Sequence, residues 1–318
     1  MTAVKDPFEE ERHLFQLLID HPLETLEELT LHSKVSTQDS LNYKLNKFFE
    51  QYQCGIRAQV LGWERVGLHP FFLLTPKPFD HPYAIRSFKI IGHKSVYLTQ
   101  CLTPGSVDAV LVPQAKLFPI TKTYPPTNDK RLFYKEGQSS SFADEWLLIL
   151  KEDMVEREIG DVVNQQKILA ETPIAVDADF LDQLAQAYNY AGLGRYDSRS
   201  TVPSFIETYS DLVSLYLTIT LPSTANYILV ITTRDISELD LFVGGFLGRF
   251  PVTELYRCSD TLICFFQAPD PNFGKIALLI FQHLKEICTP YTYLCLNDTR
   301  RLRLQEQWVD GQWKKFEI

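Results

Sequence analysis

Asn226-Tyr-Ile-Leu-Val-Ile-Thr-Thr233 opens the stretch, ending at Asn297, that decides the predicted fold of this chain. Six apolar segments follow one another there in the order strand, helix, strand, strand, helix, strand. The predicted strands span 226–233, 252–257, 262–268 and 291–296, and the predicted helices span 235–250 and 273–287. Asp235, with Glu238 three residues on, is a suitable start for the first of these helices.

This order predicts a ferredoxin-like βαββαβ domain, and an earlier segment repeats about three quarters of it. Strands are predicted over 67–75, 95–102 and 107–112, with a short helix over 83–91. Residues 118–138 contain Pro119, Pro125 and Pro126 and lack helical spacing, so a linker is expected in place of the second helix.

The N-terminal residues show three helical patterns, over 12–20, 26–33 and 36–51. Thr25 and Ser36 are suitable N-caps, and the break at 32–35 has the length of a helix-turn-helix corner. A strand-like run over 56–60 follows where a wing would lie. The segment therefore predicts a winged helix-turn-helix whose third helix enters the major groove of DNA. The predicted DNA-contacting residues are Lys34, Thr37, Gln38, Ser40, Asn42, Lys44 and Lys47, with Lys34 and Lys47 on phosphates.

Charge argues against extensive contact with nucleic acid. The chain of 318 residues has a formal net charge of −9, and residues 1–56 carry five basic against ten acidic side chains, a net of −5. Phosphate neutralisation supplies most non-specific affinity for DNA, so any DNA contact must be local. The same acidity favours an alternative function, a protein-interaction scaffold whose helix-turn-helix lobes no longer bind DNA.

A second helical region precedes the C-terminal α/β stretch, with patterns over 143–169, over 179–191 and from Asp197 to Tyr209. Together the elements suggest a tandem duplication. In element order, and in Val35-Ser36-Thr37-Gln38-Asp39-Ser40 and Gly67-Leu68 before a strand, the chain resembles the Lrp/AsnC (feast/famine) transcription regulators. The resemblance implies DNA binding by the helix-turn-helix. It also implies α/β domains that pair through their sheets and bind an amino-acid-like effector near the interface.

We therefore predict an α+β protein with an N-terminal winged helix-turn-helix and ferredoxin-like βαββαβ domains, arranged as two tandem units. The predicted domains are 1–60 winged helix-turn-helix, 61–118 incomplete ferredoxin-like, 119–142 linker, 143–221 degenerate helical region, 222–297 ferredoxin-like and 298–318 C-terminal β-hairpin. Asp310-Gly311 is a type I′ turn signal that would place Trp308 opposite Trp313 and Glu306 opposite Lys315.

The side chains suggest no catalytic, metal or cofactor site. The seven histidines lack H-x-x-x-H spacing, the six cysteines lack a Cys-x-x-Cys pair, and neither a phosphate loop nor a nucleophile elbow is present. The cluster Arg300-Arg301-x-Arg303 is interpreted as an exposed charged strand edge. We predict a cytoplasmic, non-enzymatic transcription regulator that self-associates through its α/β domains and does not interact with membranes.

One enzymatic alternative is kept. Duplicated AsnC-like chains also resemble the haem-pathway decarboxylases, whose α/β domains act through a pocket histidine. The His-Asn-Tyr run expected of those enzymes is absent, since His93-Lys-Ser-Val-Tyr97 and Tyr256-Arg257-Cys258 occupy the corresponding strands.

Overall fold

The computed structural model describes residues 9–52, 55–107, 112–124, 172–189, 202–218, 224–233, 254–269 and 288–317. The helices are α1 (Glu9–Asp20), α2 (Leu26–His32), α3 (Gln38–Tyr52), α4 (Ala178–Asn189) and α5 (Val202–Thr208). The strands are β1 (Gly55–Val60), β2 (His69–Thr75), β3 (Ala84–Ile91), β4 (Ser95–Thr103), β5 (Lys116–Tyr124), β6 (Val213–Thr218), β7 (Thr224–Thr233), β8 (Glu254–Cys258), β9 (Thr261–Pro269), β10 (Cys288–Arg300), β11 (Trp308–Val309) and β12 (Gln312–Trp313). Within these ranges, no helix has both the length and the apolar character needed to cross a bilayer.

Eight antiparallel strands close into one barrel, in the order β10-β3-β4-β2-β5-β8-β9-β7. Phe72 on β2 contacts Tyr256 on β8 and Phe265 on β9, with ring centroids 5.0 and 6.0 Å apart. Because β2 is adjacent to neither β8 nor β9, these contacts cross the interior of the barrel. The interior is therefore filled by side chains, as expected for a barrel of this size.

Closure of the barrel corrects the predicted fold class. The strands of the two α/β segments do not form separate ferredoxin-like domains, because β3 of the first segment pairs with β10 of the second, and β5 pairs with β8. Each pairing removes a sheet edge that would otherwise present unpaired backbone groups to solvent. The prediction of winged helix-turn-helix and ferredoxin-like α+β units is therefore wrong. Self-association between chains stays a prediction.

The N-terminal helices occur near their predicted positions and pack around Leu18, Leu41 and Leu45, which are all buried. α2 begins with a complete capping box, in which Thr25 accepts from the backbone of Glu28 and the Glu28 side chain accepts from the backbone of Thr25. β1 follows α3 but does not form a wing, because it pairs antiparallel with β6, from Gly55↔Thr218 to Val60↔Val213. The strand that follows the N-terminal helices is thus paired with a segment more than half the chain length away in sequence.

Several other elements differ from the prediction. Residues 84–91 form strand β3 and not a helix, and residues 116–124 form strand β5 where a linker was expected from Phe118. The predicted helices over 143–169, 235–250 and 273–287 lie outside the described residues, as does most of the predicted strand over 107–112. The domain boundaries as a whole stay a prediction.

A second apolar core joins the β1–β6 ribbon, α4, α5 and the C-terminal residues. Trp63 is buried there against Tyr188 of α4, with ring centroids 6.2 Å apart. Trp308 pairs with Trp313 across the predicted Asp310-Gly311 turn, whose φ angles of 52° and 77° suit type I′ geometry. The predicted Glu306–Lys315 pair is wrong, because residues 304–307 form a 3-10 turn.

Candidate functional site

The most unusual feature of the described structure is a group of charged side chains buried at one end of the barrel. We call it the arginine–carboxylate cluster; its charged members are Arg57, Arg86, Glu254, Asp298 and Arg300, and its polar members are Gln59, Tyr216 and Tyr256. Arg86 and Glu254 lie near the starts of β3 and β8, whereas Arg300 ends β10. Neighbouring strands of the barrel are antiparallel, so β3 and β8 run in the same direction and β10 runs in the opposite one. The starts of β3 and β8 and the end of β10 therefore lie at the same end of the barrel.

Strand periodicity explains why these residues face one another. Side chains two residues apart share a face of a strand, so Arg86 accompanies Phe88 and Glu254 accompanies Tyr256. Arg300 is directly opposite Arg86 in the β3–β10 register. The β1–β6 ribbon covers this end of the barrel, with its Ile56 side buried in the helical lobe and its Arg57 side turned to the cluster.

Glu254 is the centre of the cluster, and both of its oxygens are fully used. Oε1 accepts from Nη2 of Arg300 at 3.1 Å and from the hydroxyl of Tyr216 at 2.9 Å. Oε2 accepts from the hydroxyl of Tyr256 at 2.9 Å and from Nη1 of Arg86 in a short contact. A carboxylate has about four acceptor positions. Glu254 therefore has no capacity left for a further donor.

Asp298 neutralises the opposite side of Arg86. Its Oδ1 and Oδ2 accept from Nε and Nη2 of Arg86 at 2.8 and 2.7 Å, which is the bidentate arrangement that guanidinium groups favour. Oδ2 also accepts from Nη1 of Arg57 at 3.2 Å and lies 4.0 Å from Nε of Arg300. Three arginines thus surround one carboxylate oxygen.

Charge pairing fixes the protonation of the cluster. Burial by itself would raise the pKa of Glu254, but Arg86 and Arg300 outweigh burial and lower this pKa to about 2. The same balance, with Arg86 as the main partner, holds the pKa of Asp298 below its ordinary value. Burial raises the pKa of the Tyr216 and Tyr256 hydroxyls. At neutral pH the carboxylates are therefore ionised and the tyrosines are protonated.

These properties determine what the cluster can do chemically. Glu254 is too acidic and too fully bonded to act as a general base near neutral pH, and the tyrosines are too weakly acidic to act as ready acids. The cluster is suited instead to holding an anion. Among its described residues three guanidinium groups face two carboxylates, which leaves one excess positive charge. Nε of Arg300 is buried without a hydrogen-bond partner, with Oδ2 of Asp298 4.0 Å away.

The excess charge lies toward solvent. Arg86 and Glu254 are almost fully buried, whereas the Arg57 side chain is 32% exposed and that of Asp298 is 24% exposed. An anion approaching from this side would meet Arg57 first.

A separate surface pocket of about 190 Å³ lies between α4 and α5, but its acidic residues Asp177 and Asp179 already accept hydrogen bonds from Phe180 and Gln183.

The residues predicted to contact DNA lie elsewhere, on α3 and in the corner before it. Lys44 is paired with Glu10 of α1, and the Thr37 hydroxyl accepts from the backbone of Ser40 at 3.3 Å as a helix cap. Gln38, Lys34 and Lys47 are exposed, and Ser40 and Asn42 are partly buried. The structure therefore gathers the predicted residues on one lobe, but their contacts with DNA stay untested.

Sequence reasoning missed the arginine–carboxylate cluster. Arg300 was interpreted as part of an exposed strand edge, whereas its side chain is only 11% exposed and lies against Glu254 and Tyr216. A signal was present in Arg86 and Glu254, since each lies two residues before an aromatic residue, Phe88 or Tyr256, and so shares its face of the strand. A charged residue at an interior position of a strand indicates a buried partner, but the partners lie on segments far apart in sequence.

Comparisons with known proteins give no family. Neither a family model nor a curated protein matches this chain. A solved structure of the siroheme decarboxylase NirDL is similar over 93% of this chain and 93% of its own, with 10% identity and a TM-score of 0.42. The same enzyme in co-complex with an iron-uroporphyrin III analogue is similar over 91% of this chain and 93% of its own, with 10% identity and a TM-score of 0.40.

Both of these structures are of an enzyme, and neither is of a DNA-binding regulator. On this finding the predicted Lrp/AsnC-type transcription regulator is wrong, and so is the prediction that the chain is not an enzyme. Of the interpretations made from the sequence, the decarboxylase alternative agrees better with these names. A likeness at this level assigns no substrate and no residue role to the present chain. The scaffold alternative stays a prediction.

Proposed function

We propose that this chain binds a small carboxylate-bearing molecule at the arginine–carboxylate cluster, with one ligand carboxylate on the solvent-facing N–H groups of Arg57. The observation that carries the proposal is the imbalance of charge: three guanidinium groups face two carboxylates, and Arg57 is the most exposed of the three arginines. Burial of uncompensated charge is costly, so an anion bound here is favoured by the charge it neutralises.

Guanidinium groups fit carboxylates in particular, because their planar N–H groups match the spacing of the two carboxylate oxygens. Arg57 supplies the accessible donors, and its hydrogen bond to Asp298 at 3.2 Å is longer than the bonds of Arg86 to the same carboxylate. A ligand carboxylate can therefore take Arg57 donors without disturbing the buried Arg86–Glu254 contact.

Two sources of such a carboxylate are to be distinguished. One is an amino acid, which the sequence suggested as an effector. The other is a tetrapyrrole with several carboxylate side chains, the class that includes the siroheme and iron-uroporphyrin named for the similar structures. If a ligand of this class is decarboxylated, the carboxylate bound at the cluster would be one that stays in the product and is not lost as CO₂. The reason is that the cluster offers no group suited to proton transfer at neutral pH.

The test is a ligand titration of the purified full-length chain. Iron-uroporphyrin III binding is followed by the change in its visible absorption, amino-acid binding is followed by calorimetry, and bound tetrapyrrole is then assayed for release of CO₂. Arg57→Gln is expected to weaken binding by about tenfold or more, because a hydrogen bond to a charged group contributes about 1.5 to 3 kcal/mol. The Arg57 side chain is 32% exposed, so this variant should fold.

Arg301→Gln is the matched control, because Arg301 is exposed and follows Arg300 directly in sequence. Its binding should equal that of the unmodified chain. Absence of binding by both ligand classes, or equal binding by the Arg57 and Arg301 variants, would refute the proposal. CO₂ release by the unmodified chain would identify the protein as a decarboxylase, whereas binding without turnover would leave it a carboxylate-binding protein.

A cytoplasmic location is part of the proposal. It is supported by the four cysteines whose side chains the structure describes, Cys101, Cys258, Cys264 and Cys295, which are all free thiols. Proteins with unpaired cysteines are typical of reducing compartments. Recovery of the native protein mainly in a membrane or extracellular fraction would contradict this location.

A further inference from the structure

A second group of polar side chains lies in the helical lobe, at the corner between α1 and α2. Nδ1 of His21 is 2.8 Å from Oε1 of Glu24, and Nε2 of His32 is 3.4 Å from Oε2 of the same carboxylate. The two imidazole rings are stacked, with centroids 4.1 Å apart and planes inclined by 13°. Three side chains from three positions thus direct potential metal ligands to one point.

Local structure brings these residues together. His21 follows the last residue of α1, and its backbone N–H still donates to the carbonyl of Leu17. Glu24 lies in the short connection before the capping box that starts α2, and His32 is the last residue of α2. His32, at the end of α2, therefore lies next to His21 and Glu24. In sequence the three residues have the spacing His-x-x-Glu-x₇-His. A search for H-x-x-x-H spacing does not detect this arrangement.

The distances suit a transition-metal ion. Zinc binds histidine nitrogens and carboxylate oxygens at about 2.0 to 2.2 Å, so two ligands of a tetrahedral site are about 3.3 Å apart. The ligand atoms of His21, Glu24 and His32 all lie within 4.8 Å of one another. Small side-chain rotations would bring them to these distances, because the residues are only partly buried or exposed.

Two further observations point to a cation. Oε2 of Glu24 is a buried atom of a side chain that is 29% exposed, and it makes no hydrogen bond, with Nε2 of His32 3.4 Å away. A buried acceptor without a donor is costly, and a metal ion at this point would satisfy it. In addition, residues 1–56 carry a net charge of −5, which disfavours DNA but attracts a divalent cation.

We propose that His21, Glu24 and His32 form a binding site for a divalent transition metal of the zinc class. Two nitrogen ligands favour zinc, cobalt or nickel over magnesium and calcium, which prefer oxygen ligands. Three protein ligands leave a fourth position for water. The metal links the end of α1 to the end of α2, so its role is to hold this corner of the helical lobe, and binding stabilises the folded chain.

The experiment uses untagged, chelator-treated full-length protein titrated with Co²⁺ alone and then with Zn²⁺. The expected result is one Co²⁺ per chain, with the visible absorption of a four-coordinate site, displaced by Zn²⁺. His32→Ala and Glu24→Gln should weaken binding by more than about 100-fold, since loss of even an outer-shell partner costs about 10- to 100-fold. His93→Ala, which removes an exposed histidine on another part of the chain, should bind as before.

Circular dichroism of each variant shows that the helical lobe is folded, and thermal unfolding gives an independent readout. Zn²⁺ should raise the melting temperature of the unmodified chain and of the His93 variant only. The inference is overturned if the unmodified chain binds no Co²⁺. It is also overturned if the His32 and Glu24 variants bind equally well, or if near-ultraviolet bands show that cysteine thiolates are the ligands.

Discussion

Replacement of Glu254 by Gln tests whether the arginine–carboxylate cluster stabilises the fold. The substitution keeps the size of the side chain but removes the charge that faces Arg86 and Arg300, and its amide N–H group would meet their donors. Loss of one partner from a buried ion pair costs about 3 to 5 kcal/mol. Glu254 is 5% exposed as a residue, so solvent cannot compensate the arginines that remain.

The pKa of Glu254 leads to a similar magnitude. Arg86 and Arg300 overcome the effect of burial and lower this pKa from 4.5 to about 2, and each unit corresponds to about 1.4 kcal/mol, giving about 3 kcal/mol in total. Because the folded-state pKa is lower than the unfolded one, the carboxylate stabilises the fold above about pH 4.5. This contribution decreases as the pH falls from about 4.5 to about 2.

The assay is equilibrium unfolding in urea, measured at neutral pH and at several values down to about pH 3. At neutral pH, Glu254→Gln should lower the free energy of unfolding by about 3 kcal/mol relative to the unmodified chain. This difference should become smaller below about pH 4.5. Glu207→Gln, at an exposed position of α5, is the control and should change stability by no more than about 0.5 kcal/mol. A loss below about 1 kcal/mol for Glu254→Gln, or a difference that does not vary with pH, would refute this reasoning.

Three further substitutions test local features. Thr25→Ala removes the capping box of α2 and should lower the free energy of unfolding by about 1 kcal/mol, and an unchanged urea midpoint would contradict the role of the cap. Gly67→Ala forces a side chain into a backbone with φ of 76° and within 3.4 Å of Nε1 of Trp313, so a loss of about 1 kcal/mol or more in the same assay is expected. Trp63→Ala empties a buried position beside Tyr188 and should cost about 3 to 5 kcal/mol; thermal unfolding within 2 °C or so of the unmodified chain would show that this core is not closely packed.

Local patterns identified many of the elements. The capping box at Thr25 located α2, and apolar runs located β2, β4, β7, β8 and β9 to within a few residues. The Asp310-Gly311 turn was also placed correctly, because both residues adopt the positive φ that this turn requires. These features depend on neighbours in sequence, which the sequence displays directly.

The error over residues 83–91 shows where local patterns fail. Ile85, Phe88 and Ile91 recur at helical spacing, which favours a helix. In the structure, Arg86, Phe88 and Ile90 share the interior face of strand β3, and Ile91 is 37% exposed. A buried arginine breaks the apolar alternation by which strands are detected. Its position is intelligible only once its carboxylate partners are known.

The sequence by itself therefore determined the helical lobe, most of the strands and the C-terminal turn, because caps, turns and side-chain periodicity act over a few residues. The tertiary structure alone decided the pairing of β1 with β6, the closure of the barrel and the composition of the candidate site. Arg86 meets Glu254 and Asp298 across 168 and 212 residues of sequence. Charges at these separations become partners only because barrel closure buries them together, where each requires the other to offset its loss of water.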